Sequence, residues 1–112
     1  MEIHFATKKL GETLSQDKLR VRSYGDVIAK KLVFRINALK AAASLEDMRN
    51  VAGRCHPLSE NRADQLALYL TANLRLVFTP TEKPPPALDD GGLDWAAVTA
   101  VTILEVTDYH GD

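Results

Sequence analysis

The spacing of apolar residues changes along the chain, from helical in the first half to alternating in most of the second. Glu2-Ile3-His4-Phe5 alternates polar and apolar positions and predicts a half-buried strand. From Thr7, a residue type suited to an N-cap, Leu10 and Leu14 stand at i, i+4 and predict a helix; Leu19 extends the stripe if the chain stays helical past Ser15. Tyr24-Gly25 reads as the stop. A second, stronger helix is predicted from about Asp26 to about Ala43, with Ile28, Leu32, Ile36, Leu39 and Ala43 on one stripe. Lys30, Lys31, Arg35 and Lys40 lie largely off that stripe, so the outer face is basic. Ser44-Leu45-Glu46-Asp47 predicts one further short turn, ended by Ala52-Gly53.

After Cys55-His56-Pro57-Leu58, a polar connector from Ser59 to Asp64 leads to Leu66, Leu68 and Leu70 alternating with Ala67 and Tyr69, which predicts a strand. Thr71-Ala72-Asn73 is a tight reversal, and Leu74 to Phe78 is the returning strand of an antiparallel hairpin, interrupted by the charge of Arg75. The stretch from Thr79 to Gly92 contains Pro84-Pro85-Pro86 and Asp89-Asp90-Gly91-Gly92. Three prolines in a row remove backbone donors, so a long surface loop is expected. Asp94 would cap a brief turn through Trp95, a loop aromatic expected to pin this segment to the body. Val98 to Val106 is β-branched and apolar on both faces, as a central strand is. The order β-α-α-β-β-β-β predicts an α+β domain with the helices on one face of a mainly antiparallel sheet.

Length and composition narrow the reading. A chain of 112 residues has room for one domain, residues 1–112, and excludes a two-domain enzyme. With 46% hydrophobic and 26% charged residues it should fold as a globular protein. No apolar run reaches the roughly 20 residues of a membrane span, and MEIHFATKKL lacks the apolar core of a secretory signal, so a cytoplasmic protein without membrane contact is expected. The net charge of -1 conceals an asymmetry, +5 over residues 1–63 against -6 over residues 64–112. A basic half of this kind can attract a polyanion through counterion release, or can be no more than solvated helix faces.

Three features stand out as candidate chemistry: His56 beside a proline, Arg75 inside an apolar strand, and Asp108-Tyr109-His110 after the last strand. Each has a purely structural reading: a hydrogen-bonded histidine, an arginine reaching from the sheet or pairing with Glu105, and a polar tail. Together they fit a chemical need. Cleaving a phosphodiester without a metal takes a base for the ribose 2′-OH, an acid for the leaving oxygen and a cation for the growing phosphorane charge. Histidine and tyrosine suit the first two tasks, and arginine the third.

Other constellations carry less. Cys55 precedes His56, but neighbours on a strand point to opposite faces, so a buried core cysteine is expected rather than a nucleophile. His4, His56, His110 and Asp108 lack the spacing of metal motifs, and Gly91-Gly92 is followed by no lysine and serine or threonine of a phosphate loop. No metal or cofactor is expected.

His56-Pro57-Leu58, the connector with Arg62, Thr71-Ala72-Asn73-Leu74-Arg75-Leu76-Val77-Phe78 and Ile103 to His110, in this order, resemble the RelE/ParE superfamily, in particular the HigB-like toxins of toxin–antitoxin modules. Gly91-Gly92-Leu93-Asp94-Trp95 is similar to an insert in a longer-loop branch of killer proteins. The resemblance implies a RelE-like fold and a metal-independent endoribonuclease that enters the ribosomal A site and cuts mRNA, inhibited by a helix-turn-helix antitoxin. It also implies roles: His56 and His110 in acid–base chemistry or phosphate contacts, Arg75 at the transition-state phosphate, and Asp108 and Tyr109 in orientation. Arg54, Arg62, Lys30, Lys31 and Arg35 are the expected RNA contacts. The chain departs from the pattern at Ser59 and Glu60, where a lysine and a glycine are usual, and at Leu66 and Leu74, where tryptophans are usual. Those departures leave an alternative: a RelE-fold protein without nuclease activity that binds an antitoxin-like protein and modulates its operon's repression. A gyrase-directed toxin of the ParE branch fits less well, since the histidine-bearing tail is not expected there.

Overall fold

The computed structural model describes residues 1–51, 53–58 and 64–108 and has the expected α+β architecture. Strand β1 (Glu2–Phe5) is followed by helices α1 (Lys8–Ser15) and α2 (Asp17–Ala41), then by a 3-10 turn over Leu45–Asn50. Strands β2 (His56–Pro57), β3 (Leu66–Tyr69) and β4 (Leu74–Pro80) come next. A second 3-10 turn, Trp95–Ala97, precedes β5 (Ala100–Asp108). The sheet order is β1-β5-β4-β3-β2; β1 and β5 run parallel, and every other pairing is antiparallel.

Local sequence accounts for the helix boundaries. The Thr7 hydroxyl accepts from the amide of Leu10, as the N-cap reading requires. The stripe from Leu10 and Leu14 does not continue to Leu19 in one helix, because Gln16 is extended (φ -115, ψ 125) and separates α1 from α2. Arg20 closes that corner from within, donating from Nη1 to the Leu14 carbonyl at the end of α1 and pairing with Asp17 through Nη2. At Gly25 the expected stop takes the form of a kink: φ is 79, a value open to glycine but strained for other residues, and helix resumes at once on the far side. Beyond it, Ala29, Leu32, Ile36 and Leu39 are the buried positions, whereas Ile28 is half-buried and Ala43 exposed.

That stripe packs on one face of the sheet, against Leu66, Leu68, Leu76, Phe78, Val101 and Ile103. Each such buried leucine contributes about 1.5–3 kcal/mol through apolar area removed from water. Leu66 lies in this core and Leu74 packs at its edge, so the positions that carry leucine in place of tryptophan are filled by ordinary aliphatic packing. Trp95 pins the Pro-rich connection, buried with the Arg49 guanidinium 4.0 Å from its ring centre. Asp94 stands at the cap position of its turn, but no cap hydrogen bond comes from its side chain.

A bulge sets which side chains reach the opposite face. Val77 pairs with Glu105 but Phe78 with Ile103, so Leu104 is the extra residue on β5. Ile103 faces the core; without the bulge, alternation would send Glu105 and Thr107 the same way. With it, both join Arg75 and Val77 on the far side of the sheet. No helix among the described residues is long and apolar enough to cross a membrane.

Candidate active site

The hairpin carries the centre of the site. The reversal at Thr71-Ala72-Asn73 is tied by its own groups: the Thr71 hydroxyl accepts from the amides of Asn73 and Leu74, and Leu70 N–H donates to Leu74 O at 2.8 Å. The register that results sets Tyr69 opposite Arg75, and Arg75 opposite Thr107. Directly paired residues share a face, so these three side chains stand together on the surface away from the helices.

Arg75 is 9% exposed, an unusual state for a charged residue. Its Cζ lies 3.7 Å from the centre of the Tyr69 ring, and Nη1 donates to the Ala72 carbonyl at 3.0 Å. Nε is buried and makes no hydrogen bond among the described residues. A buried donor without a partner costs about 1–3 kcal/mol, and an anion would supply the partner. His56 reaches the same ring from the other neighbouring strand, stacked at 5.1 Å between centroids and 27° between planes. Its Nδ1 lies 2.7 Å from the Arg54 carbonyl oxygen. A carbonyl only accepts, so Nδ1 carries a proton, and Nε2 is the ring nitrogen left to face a ligand.

The segment leading into β2 is shaped to make that bond. Gly53 (φ 105) and Arg54 (φ 50) are both left-handed, and a non-glycine residue there is strained by about 1–2 kcal/mol. Gly53 is required by closeness as well: a Cβ would lie 2.7 Å from Arg35 Nε and 3.0 Å from its Cδ. Arg35 Nε donates to Tyr69 O at 3.0 Å, while Tyr69 N–H donates to Gly53 O at 2.7 Å. Beside the ring, Arg35, Gly53, Arg54 and the Tyr69–Ala72 segment line an open groove of about 380 Å³. A larger pocket of about 470 Å³ runs along Asp64, Thr79, Glu82, Lys83 and Leu104, but it shares no residue with this cluster.

No family model matches the chain, and no curated protein does. Solved structures do. A YoeB/ParE toxin from Agrobacterium tumefaciens matches with a TM-score of 0.61 at 11% identity, over 98% of this chain and all (100%) of the other. The fold is that of the YoeB/ParE toxins. The YoeB-YefM complex from Staphylococcus aureus matches at 0.56 and 14% identity, over 99% and 98% of the two chains. The structure of the YoeB dimer from Staphylococcus aureus matches at 0.55 and 15%, over the same shares, 99% and 98%.

On this toxin-type fold the expected site residues divide into groups. His56 and Arg75 converge on Tyr69, and Arg54 joins them with its Cζ 5.7 Å from the ring centre. Asp108 ends β5 opposite Leu74, one step past the Arg75–Thr107 pair; alternation assigns its position to the face of Leu74 rather than that of Arg75. Tyr109, His110 and Arg62, with Ser59 and Glu60, lie outside the described residues. Arg35 belongs to the cluster, but its Nε is occupied by the backbone, which makes it a brace as well as a charge. Lys31 is one helical turn from Arg35 on the same side of α2. Lys30 is about 140° round the helix from Arg35, at roughly 100° per residue, and lines a separate groove with Asp17, Arg20 and Asp26.

Tyr69 is the residue that sequence reasoning missed, and a signal for it exists. A reversal centred on Ala72 pairs residues whose numbers are equidistant from 72, which sets Tyr69 against Arg75. Cys55 is half-buried with its thiol pushed up to about 12 by burial, the nearby Arg49 charge opposing only in part. That is an inert thiol rather than a nucleophile. Among the described residues no group of three His, Cys, Asp or Glu is placed to hold a metal ion.

Proposed function

We propose that this chain is the toxin of a toxin–antitoxin pair and acts as a metal-independent endoribonuclease on mRNA in the ribosomal A site. The observation that carries the reading is the buried guanidinium of Arg75, held against Tyr69 with no partner for Nε among the described residues and with His56 on the same ring. His56 Nε2 takes the proton of a ribose 2′-OH, whose oxygen attacks the adjacent phosphorus. Arg75 stabilises the charge that grows on the phosphoryl oxygens. The P–O5′ bond breaks and the leaving oxygen is protonated by an acid from the segment after β5, Tyr109 or His110. The products are a 2′,3′-cyclic phosphate and a 5′-hydroxyl end. Arg54, Arg62 and Lys31 provide attraction to the RNA backbone.

The partner is a small antitoxin, a reading supported by the neighbour of the same fold solved as a YoeB-YefM complex; its helix-turn-helix type is proposed from the HigB-like resemblance alone. The HigB-like branch is proposed from the ordered HPL, NxR and DYH residues. The test is cleavage of mRNA on programmed ribosomes, mapped by primer extension. Wild-type protein should cut, and Arg75→Ala should cut about 100- to 1,000-fold more slowly, as for loss of one transition-state donor. Intact mRNA with well-folded wild-type protein rejects the nuclease. It would favour the alternative, an antitoxin-binding subunit that only modulates repression, which the overall charge of -1 also suits.

A further inference from the structure

We infer that Tyr69 is the positioning residue of this site, holding the His56 imidazole and the Arg75 guanidinium in fixed relation through the two contacts of its ring. The inference rests on the nuclease reading for its kinetic consequence, but its geometric content stands apart from that reading.

Three strands carry the arrangement. β3 lies between β2, which bears His56, and β4, which bears Arg75, so the Tyr69 ring rises between the two groups. Among the described residues the other support for each group is slight. There Arg75 is anchored by one hydrogen bond, from Nη1 to the carbonyl of an exposed turn residue, Ala72. His56 is tethered there by one bond to Arg54 O and lies on a two-residue strand at the sheet edge. A flat ring that contacts an imidazole at 5.1 Å and a guanidinium at 3.7 Å supplies what those single bonds do not, a fixed separation and tilt. Tyr69 is itself fixed through its backbone, receiving Arg35 Nε at its carbonyl and giving its amide to Gly53. The ring's hydroxyl plays no part in this argument. Its π face does.

This separates a positioning ring from a catalytic tyrosine, and the separation can be measured. Tyr69→Phe keeps both ring contacts and should recover most of the cleavage rate. Tyr69→Leu and Tyr69→Met keep apolar bulk and remove the ring; kcat should fall about 100-fold, the scale for misplacement of reacting groups, with KM little changed. Nuclear magnetic resonance gives a readout that does not need activity. The His56 ring protons, shifted by the tyrosine ring in wild type, should keep most of that shift in the Phe variant and lose it in the Leu and Met variants. The Arg75 Nε–H signal should sharpen or broaden in parallel. If wild type does not cleave RNA but these signals behave as described, the nuclease reading fails and the positioning role stands. Wild-type kcat in a folded Leu or Met variant, or unchanged His56 and Arg75 signals, overturns the inference. Unfolding of both variants by circular dichroism also overturns it, since the ring is then a plain structural support.

Discussion

Replacing Arg75 by methionine tests whether the buried guanidinium exists for function or for stability. The side chain loses a ring contact of about 0.5–2 kcal/mol and one hydrogen bond to a carbonyl of about 1.5–3 kcal/mol. The carbonyl belongs to Ala72, which is exposed, so water replaces the lost donor and much of the second figure is recovered. Against this, methionine removes an Nε that has no partner among the described residues, worth about 1–3 kcal/mol, and the larger penalty of holding a charge at 9% exposure. Methionine also fills much of the same volume and favours contact with an aromatic ring. The balance lies between zero and about 2 kcal/mol in favour of the variant. For a chain of this size that is an unchanged melting temperature or a rise of up to about 8 °C, at about 4 °C per kcal/mol. Thermal and urea unfolding followed by circular dichroism measure it, alongside cleavage on programmed ribosomes, which should fall about 100-fold or more. A melting temperature lowered by 8 °C or so would refute the reasoning, because the arginine would then be part of what holds the hairpin together.

Gly53→Ala adds a Cβ at φ 105 and 2.7 Å from Arg35 Nε, so a loss of about 1–3 kcal/mol in urea unfolding is expected, with a weakened Arg35–Tyr69 bond; an unaltered midpoint would contradict it. Burial raises both Cys55, to about 12, and Tyr24, so each binds its proton more tightly folded than unfolded. For Cys55 that stabilisation is complete below the unfolded thiol value near 9 and is lost as pH rises from there towards 12, with Tyr24 acting in the same direction; unfolding free energy that stays level over that range would show the thiol is not buried in solution. Arg54→Ala should weaken RNA binding evenly across sequences and flatten the log–log salt dependence by about one unit, whereas Lys30→Ala, in its separate groove, should change the slope less; the reverse order would move the RNA path to the Lys30 side of α2.

The sequence carried the elements well where one period ran without interruption. The Leu32–Leu39 stripe and the hairpin follow from spacing alone, because each buries a single continuous face, and Thr7 follows from its residue type as an N-cap. It was misleading where two periods meet. Leu19 extends the stripe of Leu10 and Leu14 only if the chain stays helical past Ser15; an extended Gln16 breaks it there, and the corner is stabilised by Arg20, a contact no periodicity encodes. Similarly, the alternation of Val98 to Val106 does not reveal that Leu104 bulges out. That one residue decides whether Glu105 and Thr107 face the core or Arg75.

The same reasoning explains why His56 and Arg75 were legible and Tyr69 was not. His56 and Arg75 announce themselves by chemistry, a titratable ring and a charge in an apolar strand. Tyr69 does not, since an aromatic residue among strand leucines is the commonest of core patterns. Only register distinguishes it: on the core face it would be packing, and on the far face, opposite a buried arginine, it lies in the proposed site. Register here is set by a three-residue turn whose Thr71 hydroxyl binds two following amides. Inserting or deleting one residue in that turn would send Tyr69 to the core side and Leu68 or Leu70 to the position opposite Arg75. The function proposed for this fold therefore depends as much on the turn at Ala72 as on the side chains that would touch RNA.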